Sequence, residues 1–284
     1  MSTEKIKLMT YNIGFSAGLN GLVGAVHSKE KIIKNLSAIV NMTLSYQPDI
    51  LALQEIDIYS KRSCYINQVQ YLQKKLKFKY SAIAMTWNCP YVPYPISFNF
   101  KAHFGRVKAA QVIFSKYPIT NDFQITFKKP RNNPWWYNLF YINRLAQFST
   151  IQCPNGREIM VVNVQLDAFH CQERERQLQQ IEDQLKMFNI PHILCGDINS
   201  IPKFQQKLAP FSDEPATEYS SDVMEKLSES YTLAPFFNTY PAHRPNRQLD
   251  YILVSPELKR ASLNVINMNT YPSDHLPLIA DIFF

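Results

Sequence analysis

The sequence predicts a mixed α/β chain with a layered core, on three observations. Short apolar runs rich in β-branched residues alternate with stretches whose apolar residues recur at helical spacing. The β-like runs outnumber the helical ones, which is the pattern of sheets covered by helices. No repeat, low-complexity tract or linker breaks the series, so residues 1–284 read as one domain.

Taken in order, IKLMTYNI (6–13) is the first strand. Residues 30–46 place Ile32, Ile33, Leu36, Ile39, Val40 and Leu44 on one helical face. DILALQEI (49–56) is the second strand, and 66–77 a second helix with Ile66, Val69, Leu72 and Leu76 aligned. Strands AAQVIFSK (109–116), LAQFSTIQC (145–153) and EIMVVNVQL (158–166) follow, then a helix over 172–188 through Leu178, Ile181, Leu185 and Phe188. HILCGDI (192–198), QLDYILVS (248–255) and LPLIADIFF (276–284) complete the strands. Gly14, Gly18, Gly21 and Gly24 mark a mobile loop after the first strand.

Composition sets the outer bounds. A chain that is 46% hydrophobic and 19% charged is an ordinary globular protein. Its net charge of +7 suits partners bearing phosphate, but charge does not select a fold. The first residues, MSTEKIKLMTYNIGF, carry no apolar run of signal-peptide length, and no segment approaches the ~20 apolar residues of a membrane span. Cys64, Cys89, Cys153, Cys171 and Cys195 are odd in number and lack metal-type spacing. They read as reduced thiols in a cytoplasmic chain, with export by a signal-independent route as the alternative. Nothing implies a stable protein partner, so a monomer is expected.

The chemistry sits at strand ends. Asn12 closes the first strand, Glu55 the second, and Gln165 with Asp167 a middle one. Asp197 and Asn199 follow HILC, Asp250 lies inside QLDYI, and Asp274 with His275 stands at the mouth of the last strand. Singly, such residues are turn formers that bond nearby backbone. Together they make a different pattern, because a carboxylate within an apolar run is costly unless a charge or donor meets it. Several carboxylates with amides and one imidazole suit a hard divalent cation and a phosphate substrate. Serine-nucleophile, phosphate-loop, zinc and cysteine-phosphatase motifs are all absent from the sequence.

TYNIG, LALQEID, VVNVQLDAF, LCGDINS, LDYILVS and SDHLPL, in that order, resemble the motif series of the endonuclease/exonuclease/phosphatase superfamily. The resemblance runs along essentially the whole chain. It implies a four-layer α/β sandwich: two mixed, mostly antiparallel sheets packed face to face with helices outside. It implies that Glu55 binds Mg2+ or Mn2+, that Asn12 supports the ion or contacts the phosphate, and that Asp274 is a further metal-side carboxylate. Asp197 then orients and deprotonates water, Asn199 holds a phosphoryl oxygen, and His275, steadied by Asp250, donates to the phosphate. One block departs from the pattern. Gln165 stands where many members carry a histidine that assists the leaving group, and an amide cannot supply a proton. Metal-only assistance, a reach-in by His170, or weak catalysis are the options this leaves.

The substrate is expected to be nucleic acid, through basic residues at 128–131 and above all Arg106 and Lys108, which precede a motif strand, whereas the lysines at 74–79 read first as a solvated helix face. Two aromatic segments, 87–100 and 133–141, point to the alternative of a phospholipid or sphingomyelin head group. Trp135 and Trp136 would then touch a membrane surface; they could equally stack bases or pack over the sandwich edge. A non-catalytic binding protein on the same fold is the third reading.

Overall fold

The computed structural model describes residues 5–19, 26–96, 98–131, 133–206 and 223–284. Gly21 and Gly24 of the glycine-rich loop lie outside the described residues.

The elements follow one another as β1 (Lys5–Asn12), α1 (Lys29–Tyr46), β2 (Ile50–Asp57), α2 (Gln68–Leu76), β3 (Tyr80–Val92), β4 (Gly105–Ser115), β5 (Ile119–Thr126), α3 (Trp135–Asn138), β6 (Leu145–Gln152), β7 (Glu158–Gln165), α4 (Cys171–Leu185), β8 (His192–Asp197), α5 (Lys203–Gln206), α6 (Val223–Ser230), β9 (Asp250–Val254), β10 (Lys259–Val265) and β11 (Leu278–Phe283). Six strands form one sheet in the order β10-β11-β1-β2-β4-β3, and five form the other in the order β5-β6-β7-β8-β9. Only β1 with β2 and β7 with β8 run parallel; the remaining pairs are antiparallel.

Period-two alternation explains the layers. Met9, Tyr11, Leu51 and Leu53 of the six-stranded sheet pack with Ile32, Leu36 and Ile39 of α1 and Leu72 of α2. Phe148, Met160, Val162 and Leu253 of the five-stranded sheet pack with Leu178 and Ile181 of α4 and Leu227 of α6. The opposite faces, carrying Ile6, Leu8, Ile50, Ala52, Val161, Ile193 and Ile252, meet between the sheets. Burying each Val, Leu, Ile, Met or Phe side chain among them contributes ~1.5–3 kcal/mol. Helices lie outside and two sheets inside, as the resemblance implies.

The inner face changes character along its length, and this places the site. On β1 it reads Ile6, Leu8, Thr10, Asn12; on β7, Ile159, Val161, Asn163, Gln165; on β8, Ile193, Cys195, Asp197. The polar residues midway pair with one another. Gln54 Nε2 donates to Thr10 Oγ1 at 3.0 Å and to Asn163 Oδ1 at 2.6 Å, and Asn163 Nδ2 donates to Leu53 O at 3.1 Å. The amide N–H groups of Gln54 and Asn163 are thus met across the two sheets, while Gln54 Oε1 is buried with no partner among the described residues. Beyond this layer β1, β7 and β8 present Asn12, Gln165 and Asp197 on the inner face.

Three strands do not announce themselves as apolar runs: β3, β5 and β10. All three are sheet edges, and much of their surface is intermediate or exposed. The first half of the aromatic 87–100 segment is therefore strand, the end of β3, with Trp87 paired to Ala109 and Val92 to Gly105.

Candidate active site

The site forms where the parallel strands end. Asn12 Oδ1 accepts from Gly14 N at 3.1 Å, which turns the amide so that Nδ2 donates to Asp197 Oδ2 at 3.1 Å. Asp197 Oδ1 accepts from the Asn199 backbone N at 3.0 Å, and Asn199 Nδ2 donates to Leu166 O at 3.0 Å. Asn199 holds φ +52°, a left-handed conformation that asparagine adopts more readily than most residues. Gly196 lets Asp197 come this close to Gln165. Its φ is +127°, and a Cβ there would stand 2.1 Å from Val164 O of β7.

Glu55 reaches the site through a β-bulge. Leu51 and Leu53 face the helices, so unbroken alternation would send Glu55 the same way. The register of β2 against β4 shifts between Leu53 and Ile56, and Glu55 takes φ +53°. A bulge redirects a side chain in this way. It brings the Glu55 carboxylate to Gln165 of the facing sheet, whose Nε2 donates to Oε1 at 2.5 Å. Gln165 Nε2 also lies 3.5 Å from Asp197 Oδ2.

Asp250 opens β9, and its Oδ2 is 2.8 Å from His275 Nδ1. The Tyr240 ring packs against the imidazole at 4.9 Å between centroids. Asp274 and His275 stand in a loop, with β11 beginning only at Leu278, so the last strand opens later than the sequence suggests. That loop is pinned on both sides. Ser273 Oγ donates to Asn12 O at 2.7 Å, Ala242 N to Asp274 O at 2.7 Å, and Leu276 N to Thr239 O at 2.8 Å. The pair's geometry thus comes from turn hydrogen bonds, not from the pleat of a strand.

Electrostatics follow from crowding. Burial, Asp250 and Glu55 push the Asp197 carboxyl up to about 7, against the pull of His275 and Arg144. Burial and Glu55 push Asp274 up to about 6, against His275. Burial opposes charge on His275, yet Asp250, with Asp197 and Asp274 behind it, pushes the imidazole up to about 10. Asp250 Oδ1 is buried without a hydrogen-bond partner. Such a set of buried, mutually repelling carboxylates with an orphaned oxygen fits a divalent cation. Ligand atoms of Asp197, Asp250 and His275 all lie within 4.8 Å of one another. Glu55 and Asp274 flank that group without belonging to it.

Asn12, Glu55, Gln165, Asp197, Asn199, Asp250, Asp274 and His275 therefore converge. Arg106 does not join them. It shares the face of β4 that carries Ala110 and Val112 into the helix-side core, and its Nη2 donates to Asn88 Oδ1 at 2.8 Å. Lys129 is also turned inward, its Nζ bonding Asn138 O and Tyr141 O. His170 Nδ1 lies 3.0 Å from Asp167 Oδ1, so its ring is taken up at the start of α4.

Arg144 went unread in the sequence. It is 9% exposed, and burial works against its charge, but Tyr141, Glu55, Asp167 and Asp197 outweigh that and raise it further. The signal was a lone arginine just before the apolar run LAQFSTI, the same pattern as Asp274-His275 before LPLIADI.

A family model described as the Endonuclease/Exonuclease/phosphatase family matches residues 9–275. The chain belongs to that family. Among curated proteins, Nocturnin of Xenopus laevis is 25% identical over 271 residues, covering 87% of this chain. The chain spans 63% of that relative's length. Among solved structures, an endonuclease/exonuclease/phosphatase from Beutenbergia cavernae superposes with a TM-score of 0.73 at 17% identity, covering 99% of this chain and 72% of that one. The human Nocturnin catalytic domain with bound sulfate anion gives 0.61 at 23% identity, covering 99% and 95%. Endonuclease/exonuclease/phosphatase proteins thus share the sandwich seen here, and their family includes nucleases and phosphoesterases.

Proposed function

We propose that the chain is a divalent-metal-dependent phosphodiester hydrolase acting on nucleic acid by in-line attack of an activated water. The observation that carries this reading is the Asp197 carboxylate, oriented by Asn12 and Asn199 and facing the Asp250–His275 pair. Glu55, Asp274 and Asn12 would hold the ion beside Asp197, Asp250 and His275. Oxygen-rich donors favour Mg2+ or Mn2+ over softer metals. When bound, the cation neutralises charge on phosphoryl oxygens and orients the substrate.

The chain's own residues supply the rest. Asp197, oriented by Asn12 and the Asn199 backbone, takes a proton from water near neutral pH. His275, charged over the same range, donates Nε2–H to a phosphoryl oxygen while Nδ1–H is held by Asp250. Asn199 gives one amide N–H to Leu166 O, leaving the other for the phosphoryl group.

A second reading, hydrolysis of a lipid head group, is favoured by the aromatic rim. Phe98 is 99% exposed, Ile96 83% and Trp135 77%. The deciding experiment is a panel of single- and double-stranded nucleic acids, sphingomyelin and phosphatidylcholine vesicles, and inositol phosphates, with Mg2+ or Mn2+. Cleavage of nucleic acid abolished by EDTA supports the reading. Cleavage of vesicles alone moves it to lipid, and phosphate binding without any turnover moves it to a binding protein.

A further inference from the structure

We propose that Arg144 stabilises the leaving oxygen, doing by charge what Gln165 cannot do by proton transfer. The assignment rests on the phosphodiester-hydrolase reading.

Placement comes first. Arg144 precedes Leu145, and Leu145 pairs with Gln165 across the β6–β7 ladder. Arg144 itself stands just outside the strand, and its guanidinium is near enough to Tyr141, Glu55, Asp167 and Asp197 to feel the charge of each. Its backbone is fixed on both sides: Phe127 N donates to Arg144 O at 2.9 Å, and Asn143 N donates to Thr86 O at 2.9 Å. A donor held in this way needs no reorganisation when charge develops.

The unused donors come next. Arg144 Nε and Nη1 are buried and hydrogen-bond to nothing among the described residues. Carboxylate oxygens around it already accept from other groups. Asp167 Oδ1 takes Phe169 N, His170 N and His170 Nδ1, and its Oδ2 takes Tyr141 Oη at 3.0 Å. Glu55 Oε1 takes Gln165 Nε2. A buried guanidinium with two spare N–H groups is costly to retain unless a ligand meets them. Beside a phosphoryl site, that ligand is an oxygen anion.

No proton donor competes for this edge among the described residues. Gln165 has no acidic proton, and its Nε2 is directed to Glu55 and Asp197. His170 and Tyr141 both spend their contacts on Asp167. In the step, the water oxygen attacks phosphorus and passes its proton to Asp197. The phosphorus–leaving-oxygen bond breaks and its electron pair stays on that oxygen, which departs as an anion held by Arg144 N–H groups. It takes a proton from solvent afterwards. Charge stabilisation without proton donation makes the rate depend steeply on how stable the leaving anion is.

The test is a series of methyl phosphodiesters whose second alcohol runs from p-nitrophenol to a simple alkanol. Arg144→Ala is expected to lose about 10²–10³-fold in kcat with the alkanol, the cost of removing one such donor. It should lose only a few-fold with p-nitrophenol, so the plot of rate against leaving-group acidity steepens. Added guanidinium ion should restore part of the alkanol rate, and Gln165→His in the parent should flatten the plot. If the Ala variant melts early, Arg144→Lys, which keeps the charge, carries the same comparison with a smaller steepening. An equal loss along the whole series overturns the assignment while leaving the hydrolase reading standing. A parent protein inactive on every member with Mg2+ and Mn2+ overturns the hydrolase reading itself.

Discussion

Gln165 Nε2 donates to Glu55 Oε1 across the gap between the two sheets, joining the last residue of β7 to the bulge of β2. The amide thereby fixes a carboxylate whose own backbone is held at φ +53°. Hydrogen bonds that orient a ligating carboxylate typically tune affinity 10–100-fold. Gln165→Leu should weaken Mg2+ or Mn2+ binding by about that factor, read by calorimetry without substrate. Unchanged affinity would mean that Glu55 is positioned by the bulge alone.

The metal-free protein should lose stability as pH rises. Asp197 and Asp274 are raised from 3.8 to about 7 and about 6, so the folded state keeps protons that the unfolded chain releases. Their stabilisation is full below about pH 4 and gone by about pH 7. His275, raised from 6.5 to about 10, adds a loss between those values. The melting temperature in EDTA should therefore fall from about pH 5 to pH 10, and Asp197→Asn should raise it at pH 8. A melting temperature that climbs over this range contradicts the electrostatic account.

How much of this the sequence carried depends on burial. Asn12, Gln165 and Asp197 were legible because strands alternate, so each continues an apolar inner-face series toward the same end. β3, β5 and β10 were not, because an edge strand shows one side to water and its polar residues dilute the apolar pattern. Glu55 was placed at the site by resemblance, whereas its direction depends on a bulge that no local residue pattern announces. Arg106 looked suitable by position in sequence, but β4 alternation puts it on the wrong face. Arg144 was missed because one arginine before a strand means little until the fold brings Glu55 and Asp197 beside it.

Gly196→Ala tests the closest approach in the site. The added methyl would collide with Val164 O, and φ +127° is strained for any other residue. Loss of about 3 kcal/mol or more is expected, with urea unfolding as the readout. Retained stability would show that β7 and β8 can separate there without cost.

Asp250→Asn should cost about 10²-fold or more in kcat while the fold persists. The imidazole loses the carboxylate 2.8 Å away that holds its orientation and raises it toward 10. Removing a negative charge favours the neutral ring, so the alkaline limb of the kcat–pH profile should move toward neutrality. An alkaline limb that stays in place would assign it to a group other than His275.

Trp136, next to the exposed Trp135, starts a chain of ring contacts running inward from solvent. Trp136 meets Tyr137 at 6.0 Å and Tyr137 meets Tyr141 at 5.6 Å between centroids, and Tyr141 Oη donates to Asp167. Both tryptophans are well exposed, so replacing them should change stability by no more than about 0.5 kcal/mol. Base stacking on an exposed aromatic is worth ~1–3 kcal/mol. Trp135→Ala with Trp136→Ala should therefore weaken binding of a single-stranded oligonucleotide at least about tenfold, with the melting temperature nearly unchanged. If oligonucleotide binding holds and association with phosphatidylcholine vesicles is lost instead, the rim serves a lipid surface and the substrate reading changes with it.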